Sequence, residues 1–125
     1  MLTRVLLPVA ATLGAIAVLL GAFGAHGLES RLSPSSLKTW ATAVDYQFIH
    51  VLVLLILGFI RPNLKQAKWI DYAALFIFLG IVLFSGSLYL LALTQIKLFA
   101  YLTPVGGLCF ILGWLCIAIH GFIKS

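Results

Sequence analysis

The chain has 125 residues, is 63% hydrophobic and only 9% charged, and has a mean hydropathy of +1.18, which is too little charge to cover a water-soluble domain. Lipid is therefore the solvent for most of its surface. The net charge of +5 is spread over chain ends and loops, with no basic stripe and interleaved aromatics, so it excludes a nucleic-acid footprint and reads as an orientation signal.

Charged residues divide the chain. About 24 uncharged residues separate Arg4 from Glu29, about 25 separate Asp71 from Lys97, and about 26 separate Lys97 from Lys124, each enough for a membrane helix of roughly 20 residues. The first run is longer than the roughly 7–15-residue core of a signal peptide and reads as a retained helix. Only about 15 uncharged residues lie between Asp45 and Arg61, so the second helix must start earlier and carry Asp45 in or near the interface. Ser33-Pro34 supplies that start, a hydroxyl cap followed by a residue suited to the first turn, and Arg61-Pro62-Asn63 supplies the stop. Residues 34–60 would span about 40 Å against a hydrocarbon core of about 30 Å, which places Lys38 and Trp40 in the headgroup zone. Thr103-Pro104 repeats the start signal and predicts a fourth helix from about 104, with Leu98–Leu102 as lead-in. The expectation is an all-α membrane protein of a single domain over 1–125. It is a four-transmembrane-helix bundle with spans at roughly 5–26, 38–60, 70–94 and 103–123, short loops, and a partly interfacial segment before helix two. Arg4, Arg61, Lys65, Lys68 and Lys124 then share a side against Arg31, Lys38 and Lys97, which predicts cytoplasmic termini by the positive-inside rule.

Small residues align on helix faces. Ala10, Gly14, Ala17, Gly21, Gly24 and Ala25 occupy about a third of the circumference of helix one. Ala73, Gly80, Ser87 and Thr94 follow a heptad in helix three, and Gly106, Cys109, Gly113 and Cys116 share a face of helix four that His120 continues. In lipid, close backbone approach drives helix association, so Gly14, Gly21, Gly24, Gly80, Gly106 and Gly113 are expected at packing seams. A stripe left over inside the bundle would serve a second copy or another membrane protein.

Ionisable and polar groups inside a membrane are costly and are functional hypotheses by default. Helix two carries Thr42, Tyr46 and His50 at helical spacing with Gln47 beside them, and His50 falls near the midplane, about 15 Å deep. A neutral imidazole there needs a donor and an acceptor, and Tyr46 can supply one. Asp45 points away from His50 and calls for a loop cation or a polar neighbour on helix one or three. In helix three, Ser85 and Tyr89 lie one turn apart, either as a pocket lining or as hydroxyls bonding back to helical carbonyls. His26 ends helix one, where a cation complements the helix dipole, with Tyr46 or Gln47 as its nearest expected polar neighbours and Gly27 free to take a left-handed cap. Two readings stay open: a polar pocket or relay built from His26, Tyr46, Gln47, His50, Ser85 and Tyr89, or interhelical hydrogen bonds that set register.

Cys109 and Cys116 are about 10.5 Å apart along a helix, so they can neither bridge nor share a zinc, and Cys116 with His120 is two ligands, not a site. His26 and His120 fall at opposite faces of the membrane and cannot serve one haem. No catalytic triad context and no glycine-rich phosphate loop is present. No cofactor, no metal and no enzyme activity are therefore expected.

Three stretches in order, GAFGAHGL at 21–28, WATAVDYQFIHVLVLL at 40–55 and LFSGSLYLLALTQIKLFAYLTPVGGLCFILGW at 83–114, resemble the small bacterial membrane proteins grouped as domain of unknown function four-two-three, and the likeness covers nearly the whole chain. The resemblance implies an inner-membrane protein of four helices and no established activity. The family's recurrent residues map onto Gly21, Gly24, His26, Gly27, Tyr46, Gln47 and His50, then Ser85, Gly86, Ser87, Tyr89, Thr103, Pro104, Gly106, Gly107, Gly113 and Trp114, without a role for any. The functional expectation is a small transporter or channel component, or a binder of lipid or small apolar molecules. The alternative is a structural or accessory subunit packing against another membrane protein, either reading compatible with a homo-oligomer in the lipid bilayer.

Overall fold

A computed structural model describes residues 2–124. Four helices are long and apolar enough to cross a membrane, and no strand occurs among the described residues. In lipid every backbone N–H and C=O must be satisfied within its own segment, which makes such apolar runs helical.

Helix α1 (Leu2–His26) contains Pro8, and the Thr12 hydroxyl donates to the Pro8 carbonyl at 2.7 Å. The helix closes where the Phe23 carbonyl accepts from the amides of Gly27 and Leu28. No glycine among the described residues has a positive φ, so Gly27 does not use the left-handed cap expected of it. It matters by its size instead: a Cβ there would lie 2.6 Å from the Phe23 ring. The connecting segment folds inward through Leu28, buried against Trp40, Val44 and Ala92.

Helix α2 (Pro34–Ile60) starts on the Ser33 cap, whose hydroxyl accepts from the Ser36 amide at 3.2 Å, and ends in a 3-10 turn at Arg61–Asn63. The third span comprises α3 (Lys68–Gly80), a π-helical turn (Ile81–Ser85) and α4 (Gly86–Thr94). It is capped by Gln95, the only non-glycine residue with positive φ among those described (φ 59). Helix α5 runs from Leu98 to Lys124. The expected start at Pro104 is a correction: Leu98–Leu102 is already helical, opened by bonds from Phe99 to Ile96 and from Ala100 to Lys97. An apolar segment in lipid gains its backbone bonds only by folding, and that outweighs the one N–H that Pro104 lacks.

α1 packs on α2 and α3 on α5, with α2 and α4 joining the two pairs. The larger core gathers Leu6, Ala10, Leu54, Ile70, Ile77 and Phe110. All six seam glycines face a neighbouring helix of the same chain: Gly14 meets Val51, Gly21 meets Val44 and Gly24 meets Trp40, while Gly80 meets Phe110, Gly113 meets Ile77 and Gly106 meets the backbone of Leu83 and Phe84. The small stripe of α1 is thus occupied by α2. The helices alternate in direction, so both chain ends lie at one end of the bundle, where Arg61 and Asp71 form a bidentate ion pair across the α2–α3 connection. Val18, Leu19, Leu52, Ile56, Leu108 and Ile111 face outward, as helices bathed in lipid require.

Candidate functional site

The midplane histidine is fully committed. His50 Nδ1 lies 2.7 Å from the Tyr46 carbonyl one turn earlier, and His50 Nε2 lies 3.1 Å from Trp114 Nε1 on α5. A carbonyl only accepts and an indole N–H only donates, so Nδ1 must carry the proton and Nε2 must accept. Both nitrogens are used and the ring is neutral in this arrangement. The Phe110 ring stacks on it at 3.6 Å between centroids, 11° from parallel. A proton added at Nε2 would face the indole donor with no acceptor, so this arrangement favours the neutral ring.

Gln47, buried, ties three helices. Its Nε2 donates to the Leu13 carbonyl of α1 at 2.8 Å, and its Oε1 accepts from Tyr89 OH of α4 at 2.6 Å. Trp40 caps this layer: its Nε1 donates to the Leu20 carbonyl at 2.8 Å, and its ring meets Tyr89 edge-on at 4.7 Å. Ser85 is fully buried and donates across to the Ala43 carbonyl of α2 at 2.8 Å, rather than bonding back to its own helix. Ser87 donates to the Phe84 carbonyl and is paired with the Thr103 hydroxyl of α5 at 2.6 Å. Gln95 Nε2 donates to Ser36 Oγ at 2.7 Å and fastens the end of α4 to the start of α2.

Gln47 and Tyr89 bond each other, His50 bonds the Tyr46 carbonyl within α2, and Ser85 bonds Ala43 separately; His26 stands outside all three. His26 is exposed at the end of α1, and its side chain makes no hydrogen bond to Tyr46, Gln47 or any other described residue. It lies at the exposed end of α1, while Gln47 meets α1 more than three turns earlier, at Leu13. Tyr46 is 41% exposed and contributes its carbonyl and its ring, 4.5 Å from Phe84, rather than its hydroxyl. Asp45, expected to find a cation or polar neighbour, is exposed and has no hydrogen bond or ion pair among the described residues. Sequence reasoning missed Trp114 as the partner of His50, and the ion pair of Arg61 with Asp71. An indole N–H about two-thirds of the way along an apolar helix was the available signal for the first.

No buried side-chain nitrogen or oxygen among the described residues lacks a hydrogen-bond partner. The five principal clefts are lined by residues other than the six candidates. One of about 380 Å³ lies between α1 and α2, bordered by Gly21, Gly24, Ala25, Glu29, Trp40 and Asp45. Among the described residues no group of three or more His, Cys, Asp or Glu stands together.

Residues 20–107, which include all six candidates and the π turn, match the family described as Protein of unknown function (DUF423). Among relatives, the UPF0382 membrane protein of Staphylococcus haemolyticus is 50% identical over 106 residues, 82% of either chain. The UPF0382 membrane protein YwdK of Bacillus subtilis is 44% identical over 104 residues, covering 83% of this chain and 85% of its own. The UPF0382 inner membrane protein YgdD of Escherichia coli K12 is 42% identical over 114 residues, covering 91% of this chain and 86% of its own. No solved structure matches. The chain is an integral membrane protein with four apolar helices and belongs to the DUF423/UPF0382 family of membrane proteins of unknown function.

Proposed function

We propose that this protein is an accessory membrane subunit: a closed four-helix bundle that docks a transmembrane helix of a partner protein against its α1–α2 face. The observation that carries the reading is Asp45. It lies 11 residues into α2, about 16 Å along the axis, and so roughly 6 Å or more inside a hydrocarbon layer of about 30 Å. It is exposed and lacks a partner among the described residues. A lipid-facing carboxylate costs up to about 3 kcal/mol near the helix centre. The groove beside it is bordered by the exposed Ala25 and Ala41, small residues that leave room for another helix. A Lys or Arg on that helix at the depth of Asp45 would neutralise the carboxylate where water does not. An inner-membrane location with cytoplasmic termini accompanies this reading, supported by the name of the Escherichia coli relative and by the excess of Lys and Arg at the terminal end.

The bundle interior argues against the transporter or pocket reading, because every buried side-chain nitrogen and oxygen among the described residues already has a partner within the chain. Two measurements test the proposal. Extraction of native membranes in a mild detergent should give a complex larger than the 13.6 kDa chain. Asp45→Leu should abolish that complex while the isolated protein keeps or gains thermal stability. A chain that extracts alone, or a complex indifferent to Asp45→Leu, refutes the docking face. In a background lacking Cys109 and Cys116, cysteine at Ser85 should resist small aqueous thiol reagents, and its rapid labelling would restore the conduit reading.

A further inference from the structure

The opposite end of the molecule carries a different surface. Between the start of α3 and the end of α5 lies a cleft of about 760 Å³, bordered by Gln66, Lys68, Trp69, His120, Ile123 and Lys124. We propose that it binds the phosphate of an anionic phospholipid headgroup.

Charge is the first ground. Lys68 and Lys124 have no ion pair among the described residues, and Asp71, the acid at this end, is already bound by Arg61. The cleft is therefore cationic without compensation, and an ammonium acts on phosphate as a point charge. Lys68 is also held in place, its Nζ 5.6 Å from the centre of the Trp69 ring, so less side-chain freedom is lost on binding. The second ground is the backbone. Helix α3 begins at Lys68 with no side-chain cap at Ala67, so the positive end of its dipole lies beside the same cleft, whose lining includes Ala67 and Lys68.

The third ground favours lipid over free phosphate. The cleft lies at the end of two spans, with Trp69 at the level where indoles settle in a bilayer interface. Its wall continues through Ile123 onto the exposed Phe122, so the cationic mouth opens directly onto an apolar surface. A headgroup with acyl chains matches both parts, and inorganic phosphate matches only the first. The volume falls within the roughly 300–1,000 Å³ of small-ligand sites. This site does not depend on the α1–α2 face.

The test is native mass spectrometry of the full chain in micelles holding equal amounts of phosphatidylglycerol and phosphatidylcholine. Phosphatidylglycerol should be retained preferentially. Lys68→Gln and Lys124→Gln should each weaken retention roughly fivefold, and together about thirtyfold, on the scale of one interfacial lysine apiece. Lys68→Arg with Lys124→Arg should keep the preference. Helix content by circular dichroism checks that each variant is folded. Equal retention of the two lipids by the native chain overturns the proposal. So does an equal loss in Lys38→Gln with Lys97→Gln, at the other end of the bundle, because the effect would then be one of net charge. Displacement of the lipid by millimolar inorganic phosphate overturns the lipid assignment in favour of free phosphate.

Discussion

Gly106→Ala is the sharpest test of how the third span meets α5. A Cβ built at Gly106 would collide with the Phe84 amide nitrogen and lie 2.6 Å from Phe84 Cα and 2.7 Å from the Leu83 carbonyl carbon. These are backbone atoms of the π turn, so no rotamer change relieves the contact and the two segments must part. Overpacking of this kind costs about 1–3 kcal/mol, while replacing a helical glycine by alanine returns about 0.5–1 kcal/mol. The net expectation is a loss of roughly 1–2 kcal/mol. Gly86, at the far end of the same turn, has nothing within 4 Å of its virtual Cβ, so Gly86→Ala should gain the propensity term of about 0.5–1 kcal/mol. Gly14→Ala, which meets only Val51 Cγ1 at 3.4 Å, should fall between the two. Reversible unfolding in mixed micelles, followed by tryptophan fluorescence, measures the order. If Gly106→Ala were as stable as the native protein, or if Gly86→Ala fell with it, the proposed backbone contact at the π turn would be wrong.

Other expectations follow from the polar layer and the terminal end. Gln47→Leu should destabilise by about 1–3 kcal/mol because Tyr89 OH is left buried without an acceptor, and adding Tyr89→Phe should recover part of that loss in a double-mutant cycle; strict additivity would deny the bond. Nitrogen-15 NMR of His50 in bilayers at pH 7 should show a protonated Nδ1 and an unprotonated Nε2, and the opposite tautomer would remove the Trp114 bond from the account. Asp71→Asn should lower stability by about 1 kcal/mol or less, as expected for a half-exposed pair, and loosen the α2–α3 turn to proteolysis; an unchanged digestion pattern would show that the pair does not hold the turn.

The parts of the fold legible in the sequence are those that one segment determines for itself. Ser33-Pro34 carries its cap and first turn locally, and apolar run length in lipid dictates helix. Pro104 misleads because the same dipeptide signal also fits a proline past the first turn of a longer helix, and only the need to satisfy Leu98–Leu102 decides between them. The candidate site is harder for a physical reason. Gln47, Trp40 and Ser85 each bond a main-chain carbonyl on another helix, and every residue offers a carbonyl. Residue identity therefore cannot name the acceptor; the rotation of each helix does. His50 needs Trp114 from 64 positions away, and the π turn at Ile81–Ser85 shifts the angular count used to assign faces beyond it. His26 fails in the opposite sense: its type suggested a network, but it faces outward while Gly24 and Leu28 on either side of it pack on Trp40.

The three carboxylates show how this small protein divides its polar groups. Asp71 is held by Arg61 at the terminal end, Glu29 lies in the exposed connection at the mouth of the α1–α2 groove, and Asp45 is exposed on α2 without a side-chain partner among the described residues. Interhelical hydrogen bonds in membranes contribute only about 0.6 kcal/mol on average, so the interior network is better understood as fixing which helix face meets which than as the main source of stability. Asp45 contributes nothing of that kind, since it bonds to no helix of its own chain, and in a bare bilayer it only costs. A group that is costly alone and neutral when paired favours whatever assembly pairs it. Under the docking proposal, that asymmetry makes Asp45 the place where the free chain and a complex would differ most in energy, and it is why Asp45→Leu separates loss of partner from loss of fold.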